Sequence, residues 1–108
     1  MSKYHSKKVK MDGITFDSIR EAKRYKDLLI LERAGKIQNL RRQVKFQLIP
    51  GQKDSQGKAI RPVYYIADFV YKDSRGVVVE DAKGFRTDLY KLKKKLMLYV
   101  HHLEIVEV

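Results

Sequence analysis

The chain has 108 residues, 44% hydrophobic and 34% charged, which suits one soluble globular domain with a modest core and excludes two. It contains no cysteine, so disulfides, thiol catalysis and cysteine-based zinc clusters are ruled out. A formal charge of +11, from 24 Lys and Arg against 13 Asp and Glu, calls for a polyanionic partner, nucleic acid ahead of an anionic membrane.

No apolar run reaches membrane-spanning length, and the opening MSKYHSKKVK lacks the apolar centre of a signal peptide. No membrane partner is expected, and a cytoplasmic location fits. Residues 1–10 carry Lys3, Lys7, Lys8 and Lys10, and read either as a mobile basic tail or as an arm that contacts phosphates. Val9 to Phe16 alternates around Asp12-Gly13, the signature of a small hairpin. A helix is predicted from about Ser18 to Ala34, with Ser18-x-x-Glu21 as a capping box and Gly35 at its C-terminal end. Glu21 falls on one helical face with Tyr25, Leu28 and Glu32. It could close the cap or reach into a site.

Lys36 to Arg42 reads as a basic connection holding Arg41 and Arg42. Val44, Phe46 and Leu48 alternate with Gln43, Lys45 and Gln47, as in a half-buried strand. Gln43 could approach a site or simply face solvent. Gln52 to Lys58 reads as a polar loop, and Pro62 opens the next strand.

Tyr64 to Lys83 organises the rest. Two runs rich in Val, Ile, Tyr and Phe flank Lys72-Asp73-Ser74-Arg75-Gly76, which predicts a hairpin. If the turn holds an even number of residues centred on Ser74 and Arg75, Asp68 faces Asp81, with Lys83 projecting on the same side as Asp81. Opposed carboxylates repel unless a cation lies between them. A divalent metal with a lysine beside it would relieve that repulsion.

Beyond Gly84, which lets the chain bend away, Thr87 predicts an N-cap and a helix to about His101. Leu89, Leu92, Leu96 and Val100 form its expected core stripe, flanked by Tyr90 and Lys93. Lys91, Lys93, Lys94 and Lys95 read as a solvated face or as contacts to a DNA backbone. His101 and His102 suit the helix C-terminus and lack the third neighbour a metal site would need. Leu103 to Val108 closes the chain as a short strand. Phosphate-loop, dinucleotide and serine-elbow patterns are absent.

Asp68 … Asp81-Ala82-Lys83, on a hairpin between two helices and with Glu21 upstream, resembles the PD-(D/E)XK nuclease superfamily. The wording DGITFDSIREA, YIADFVY and VVVEDAKGFRT is similar to its small phage-encoded nuclease-like members, over roughly residues 8–100. Ala67 stands where the name motif has Pro. The resemblance implies an α/β fold with a restriction-endonuclease-like core, a mixed sheet flanked by two helices. It implies a Mg²⁺-dependent endonuclease on DNA, with Mn²⁺ as substitute and the host cytoplasm as location if phage-encoded. Asp68, Asp81 and Glu21 would hold the metal, and Lys83 would complete the catalytic set. Lys7, Lys8, Arg41, Arg42, Thr87, Tyr90, Lys93 and Lys94 would contact DNA. Branched or recombination intermediates are candidate substrates, and cutting two strands would favour a homodimer. The alternative is a non-catalytic DNA-binding accessory protein of phage replication or recombination.

Overall fold

The computed structural model describes residues 8–82 and 86–108. The expected Lys83 and Gly84 roles, and those of Lys7 and the start of the basic tail, lie outside the described residues. Asp12 and Gly13 both take left-handed backbone, at φ 53° and 79°, and so close β1 (Val9–Met11) onto β2 (Ile14–Phe16).

Helix α1 spans Ile19–Arg33. Ser18 Oγ accepts the Glu21 N–H at 3.1 Å, which satisfies one of the orphan donors of the first turn. At the other end Gly35, at φ 77°, lets the Lys36 N–H return to the Leu31 carbonyl at 2.9 Å.

Strand β3 runs from Gln38 to Ile49, so the expected basic connection up to Arg42 is largely strand. The expected polar loop carries a small ladder of its own, β4 (Gln52–Lys53) on β5 (Ala59–Ile60). Strand β6 (Val63–Asp73) pairs antiparallel with β3, and β7 (Gly76–Asp81) pairs antiparallel with β6. Helix α2 (Asp88–His101) then carries the chain to β8 (Ile105–Glu107), which lies parallel to β7. The result is an α/β architecture with a mixed four-stranded sheet in the order β3-β6-β7-β8.

The two helices cover opposite faces, as β7 makes plain. Val78 packs beside Leu28 of α1, whereas its neighbour Val79 packs with Tyr90 and Met97 of α2. On β3, however, Leu40 belongs to the α1 cluster and Val44 and Phe46 to the α2 cluster. On β6, Phe69 and Tyr71 belong to the α1 cluster and Tyr65 and Ala67 to the α2 cluster. Residues of one parity share a face in a regular strand, so both strands turn over midway. The turning point is Gln43 on β3, at φ 52°. The register pairs Arg42 with Phe69 and Val44 with Ala67, which puts Asp68 opposite it.

The expected core stripe of α2 is corrected by the structure. Leu89 and Leu92 are 59% and 53% exposed, Val100 is exposed too, and only Leu96 packs partly against the core. Tyr90 and Met97, one step round the helix, are the buried pair. Both stripes have helical spacing, and it is Tyr90 and Met97 that pack with Val70 and Val79 of the sheet.

Candidate functional site

The hairpin turn holds two residues, Ser74 and Arg75, between the paired Asp73 and Gly76. From there the ladder runs back without a bulge to Phe69 opposite Glu80. The ladder ends there, one residue short of Asp68 and Asp81, and the link between their backbones is the Asp68 side chain on the Ala82 N–H. The two carboxylates have different surroundings. Asp68 is half-buried; its Oδ2 accepts the Ala82 N–H at 2.8 Å and its Oδ1 accepts Gln43 Nε2 at 3.3 Å. Asp81 is 1% exposed, and its Oδ2 accepts the Tyr65 hydroxyl at 2.6 Å. Burial, followed by that hydrogen bond, pushes the Tyr65 hydroxyl well above the usual phenol range, and the charge of Asp68 adds to the shift. Tyr65 therefore stays protonated and holds Asp81 as its acceptor.

Glu21 reaches the same place from α1. Its carboxylate does more than serve the start of the helix: Oε1 accepts Gln43 Nε2 at 3.1 Å and lies 3.4 Å from Arg42 Nη2. Burial raises its pKa first, then the charges of Asp68 and Asp17, with Arg42 and an Asp17 backbone N–H pulling the other way. One amide nitrogen thus sits between Glu21 and Asp68, with an acidic oxygen on either side. The left-handed backbone at Gln43 makes this possible, because it turns the strand over opposite Asp68. Sequence reasoning had Gln43 only as an open alternative; a non-glycine residue in that conformation carries no composition signal.

The three expected metal ligands are thus divided. Glu21 and Asp68 converge on Gln43, while Asp81 is engaged by Tyr65. Among the described residues no group of three or more His, Asp or Glu is arranged to hold a metal ion. The donor chemistry of the converging pair still fits a hard divalent cation, since both ligands are carboxylate oxygens and both already point at one donor. Lys83 lies outside the described residues.

The residues expected to contact DNA also divide. Arg42 lies with its guanidinium over the Phe16 ring at 4.4 Å and near Tyr25 at 5.6 Å, and its side chain keeps 22% exposure. Tyr90 is 5% exposed, and its hydroxyl donates to Glu107 at 2.7 Å. Thr87 Oγ1 accepts the Tyr90 N–H at 3.0 Å as the cap of α2. Lys94 Nζ lies 3.6 Å from Glu107, and Lys8 Nζ 4.0 Å from Asp17. Arg41 is exposed, and Lys93 is half-buried beside Tyr90.

One strong neighbour escaped the sequence reading. Glu80, 1% exposed, receives Arg24 Nε at 2.8 Å and Nη2 at 2.6 Å, together with the Tyr71 hydroxyl. Burial and the bond to Glu80 push the Tyr71 hydroxyl up to about 12. This cluster ties α1 to β7 one turn beyond Glu21. A signal was available: a glutamate in the Val-rich run of β7 needs a cation to be buried.

Over residues 1–106 the chain matches the family described as "Protein of unknown function (DUF1064)", and it belongs to that family. Neither the curated proteins nor the solved structures gave a match. Among the described residues no helix is long and apolar enough to cross a membrane.

Proposed function

We propose that this DUF1064 chain is a divalent-metal-dependent endonuclease acting on DNA, built on a restriction-endonuclease-like core. The observation that carries the reading is the convergence of Glu21 and Asp68 on one amide, with Asp68 also held by the N–H of Ala82 next to Asp81, in a chain of net charge +11. Carboxylates of one sign are gathered there against their mutual repulsion, on a protein whose overall charge attracts phosphate.

In this reading Glu21 and Asp68 hold the metal, Mg²⁺ or Mn²⁺, and Gln43 yields its place between them. The chemistry such an ion supplies when bound is polarisation of the scissile phosphate and a more acidic attacking water. Tyr65 orients Asp81 by donating to one oxygen. Asp68 is fixed by the Ala82 N–H, so β6 and the end of β7 move as one piece. Lys83, two residues past Asp81, offsets charge that develops on the phosphate. Exposed cations, Arg41 and Lys95 among them, hold the backbone by charge alone.

The second reading is a DNA-binding accessory protein without cleavage. The observation that favours it is the engagement of Asp81 by Tyr65, which leaves two converging carboxylates rather than three. Cleavage decides between the two. Labelled linear, flapped, branched and single-stranded DNA is incubated with Mg²⁺, Mn²⁺ or EDTA. Cutting in metal alone is expected, lost in Asp68→Asn, Asp81→Asn and Lys83→Ala while DNA binding persists. Undiminished cutting by all three variants, or none by the wild type on any substrate, overturns the nuclease reading.

A further inference from the structure

Strand β7 pairs with β6 only from Phe69 to Asp73. The first half of β6 is therefore bound to β3 on one side, and its other edge turns towards the start of α2. A cavity of about 460 Å³ opens between them, within the range of small-ligand sites. Tyr65 and Tyr90 line it, and their hydroxyls are already committed to Asp81 and Glu107. Tyr64, Ile66 and Leu89 give it an apolar wall, with Ile66 50% exposed. Lys45 and Lys93 supply two cations, and among the described residues no carboxylate lines it. Lys45 Nζ lies over the Tyr64 ring, 4.1 Å from its centroid, and so holds one cation against one face of that ring.

An aromatic and aliphatic wall with two ammonium groups and no anion selects a flat apolar group that carries negative charge. A nucleotide unit has that chemistry: base against the wall, phosphate on the lysines. A base can enter only if it is unpaired. We infer that this cavity is a subsite for an unpaired nucleotide, placed behind Asp81 through Tyr65, and that the substrate class is DNA with a single-stranded segment next to the site. The inference rests on the DNA-directed reading above for the identity of the polyanion.

The test is binding in EDTA, so that cleavage plays no part. A labelled duplex with a thymidine overhang is compared with the same duplex carrying an abasic overhang of equal length and charge. The thymidine overhang is expected to bind about tenfold tighter, the effect of one stacked base. Tyr64→Ala should remove that preference. Ile66→Glu, at a half-exposed position that tolerates charge, should weaken the thymidine overhang by a similar factor. Lys93→Ala should keep the preference and reduce the salt slope by about 0.7, the value for one phosphate on a single strand. Overhangs that bind within twofold of each other, or a preference that survives both Tyr64→Ala and Ile66→Glu, overturn the subsite. A base preference without cleavage in any metal leaves the subsite standing and removes only the nuclease. Cleavage without base preference does the reverse.

Discussion

Glu21 and Glu80 are both buried, at 3% and 1% exposure, and both meet groups on the α1 side of the sheet. Their neutralisation differs. Glu80 receives both arms of the Arg24 guanidinium and a tyrosine hydroxyl, so its charge is matched within hydrogen-bonding distance. Glu21 has one shared amide, the Asp17 backbone N–H and an arginine at 3.4 Å, set against burial and the charges of Asp68 and Asp17. A carboxylate matched by its own fold is a structural tie. One gathered beside another carboxylate and left undercompensated is poised for a cation from outside.

The contrast is broken first by deletion. Glu80→Ala leaves Arg24 partly buried without its anion and should lower stability by about 3 kcal/mol, the low end for breaking a buried pair, because Arg24 keeps some access to water. Glu21→Gln keeps the shape and removes repulsion, so it should leave the metal-free protein as stable or more so. Chemical denaturation of both measures the difference; equal losses would erase the distinction.

Metal gives the next effect in size. The wild type should gain RT ln(1 + [M]/Kd), about 1.4 kcal/mol at Mn²⁺ ten times above Kd. Glu21→Gln and Asp68→Asn should gain little, whereas a variant that keeps both carboxylates, such as Lys93→Ala, should gain as the wild type does. Melting curves with Mn²⁺ and with EDTA read this directly. A full gain in either carboxylate variant would mean the ion binds elsewhere.

The smallest effect is the pH dependence. Glu21 has its folded pKa raised above the ordinary value of 4.5, so the folded state binds this proton more tightly than the unfolded chain does. Its contribution therefore lowers stability as pH rises from 4.5 through the folded pKa. On acidification that penalty should fade, and the difference between Glu21→Gln and the wild type in EDTA should shrink by pH 4.5. A difference that stays constant from neutral pH to 4.5 would place the repulsion on another group.

How much of this could be read from the sequence follows from what each feature depends on. The Ser18 and Thr87 caps, the Asp12-Gly13 turn and the even turn at Ser74-Arg75 rest on short-range chemistry, and each was visible. Turn length alone gave the register as far as Phe69 opposite Glu80, one step short of Asp68 and Asp81. The reversal at Gln43 did not, because a left-handed glutamine is imposed by tertiary packing. Without it Arg42 reads as an outward cation and Gln43 as one choice among several. The buried side of α2 was hidden for another reason. Leu89, Leu92, Leu96 and Val100 have the same spacing as a true core face, and only the shape of the sheet beneath selects Tyr90 and Met97.

Strand β3 lies at the margin of the sheet, with one side of its backbone turned away from β6. A straight twelve-residue strand in that position would be a template for edge-to-edge aggregation with other molecules. Asn39 and Gln43 interrupt it with left-handed backbone, at φ 56° and 52°, and Arg41 and Lys45 are exposed along it. The interruption at Gln43 that aims an amide between two carboxylates thus also guards solubility. Straightening β3 with valine at both interruptions would trade that protection for a continuous ladder open to uncontrolled self-association.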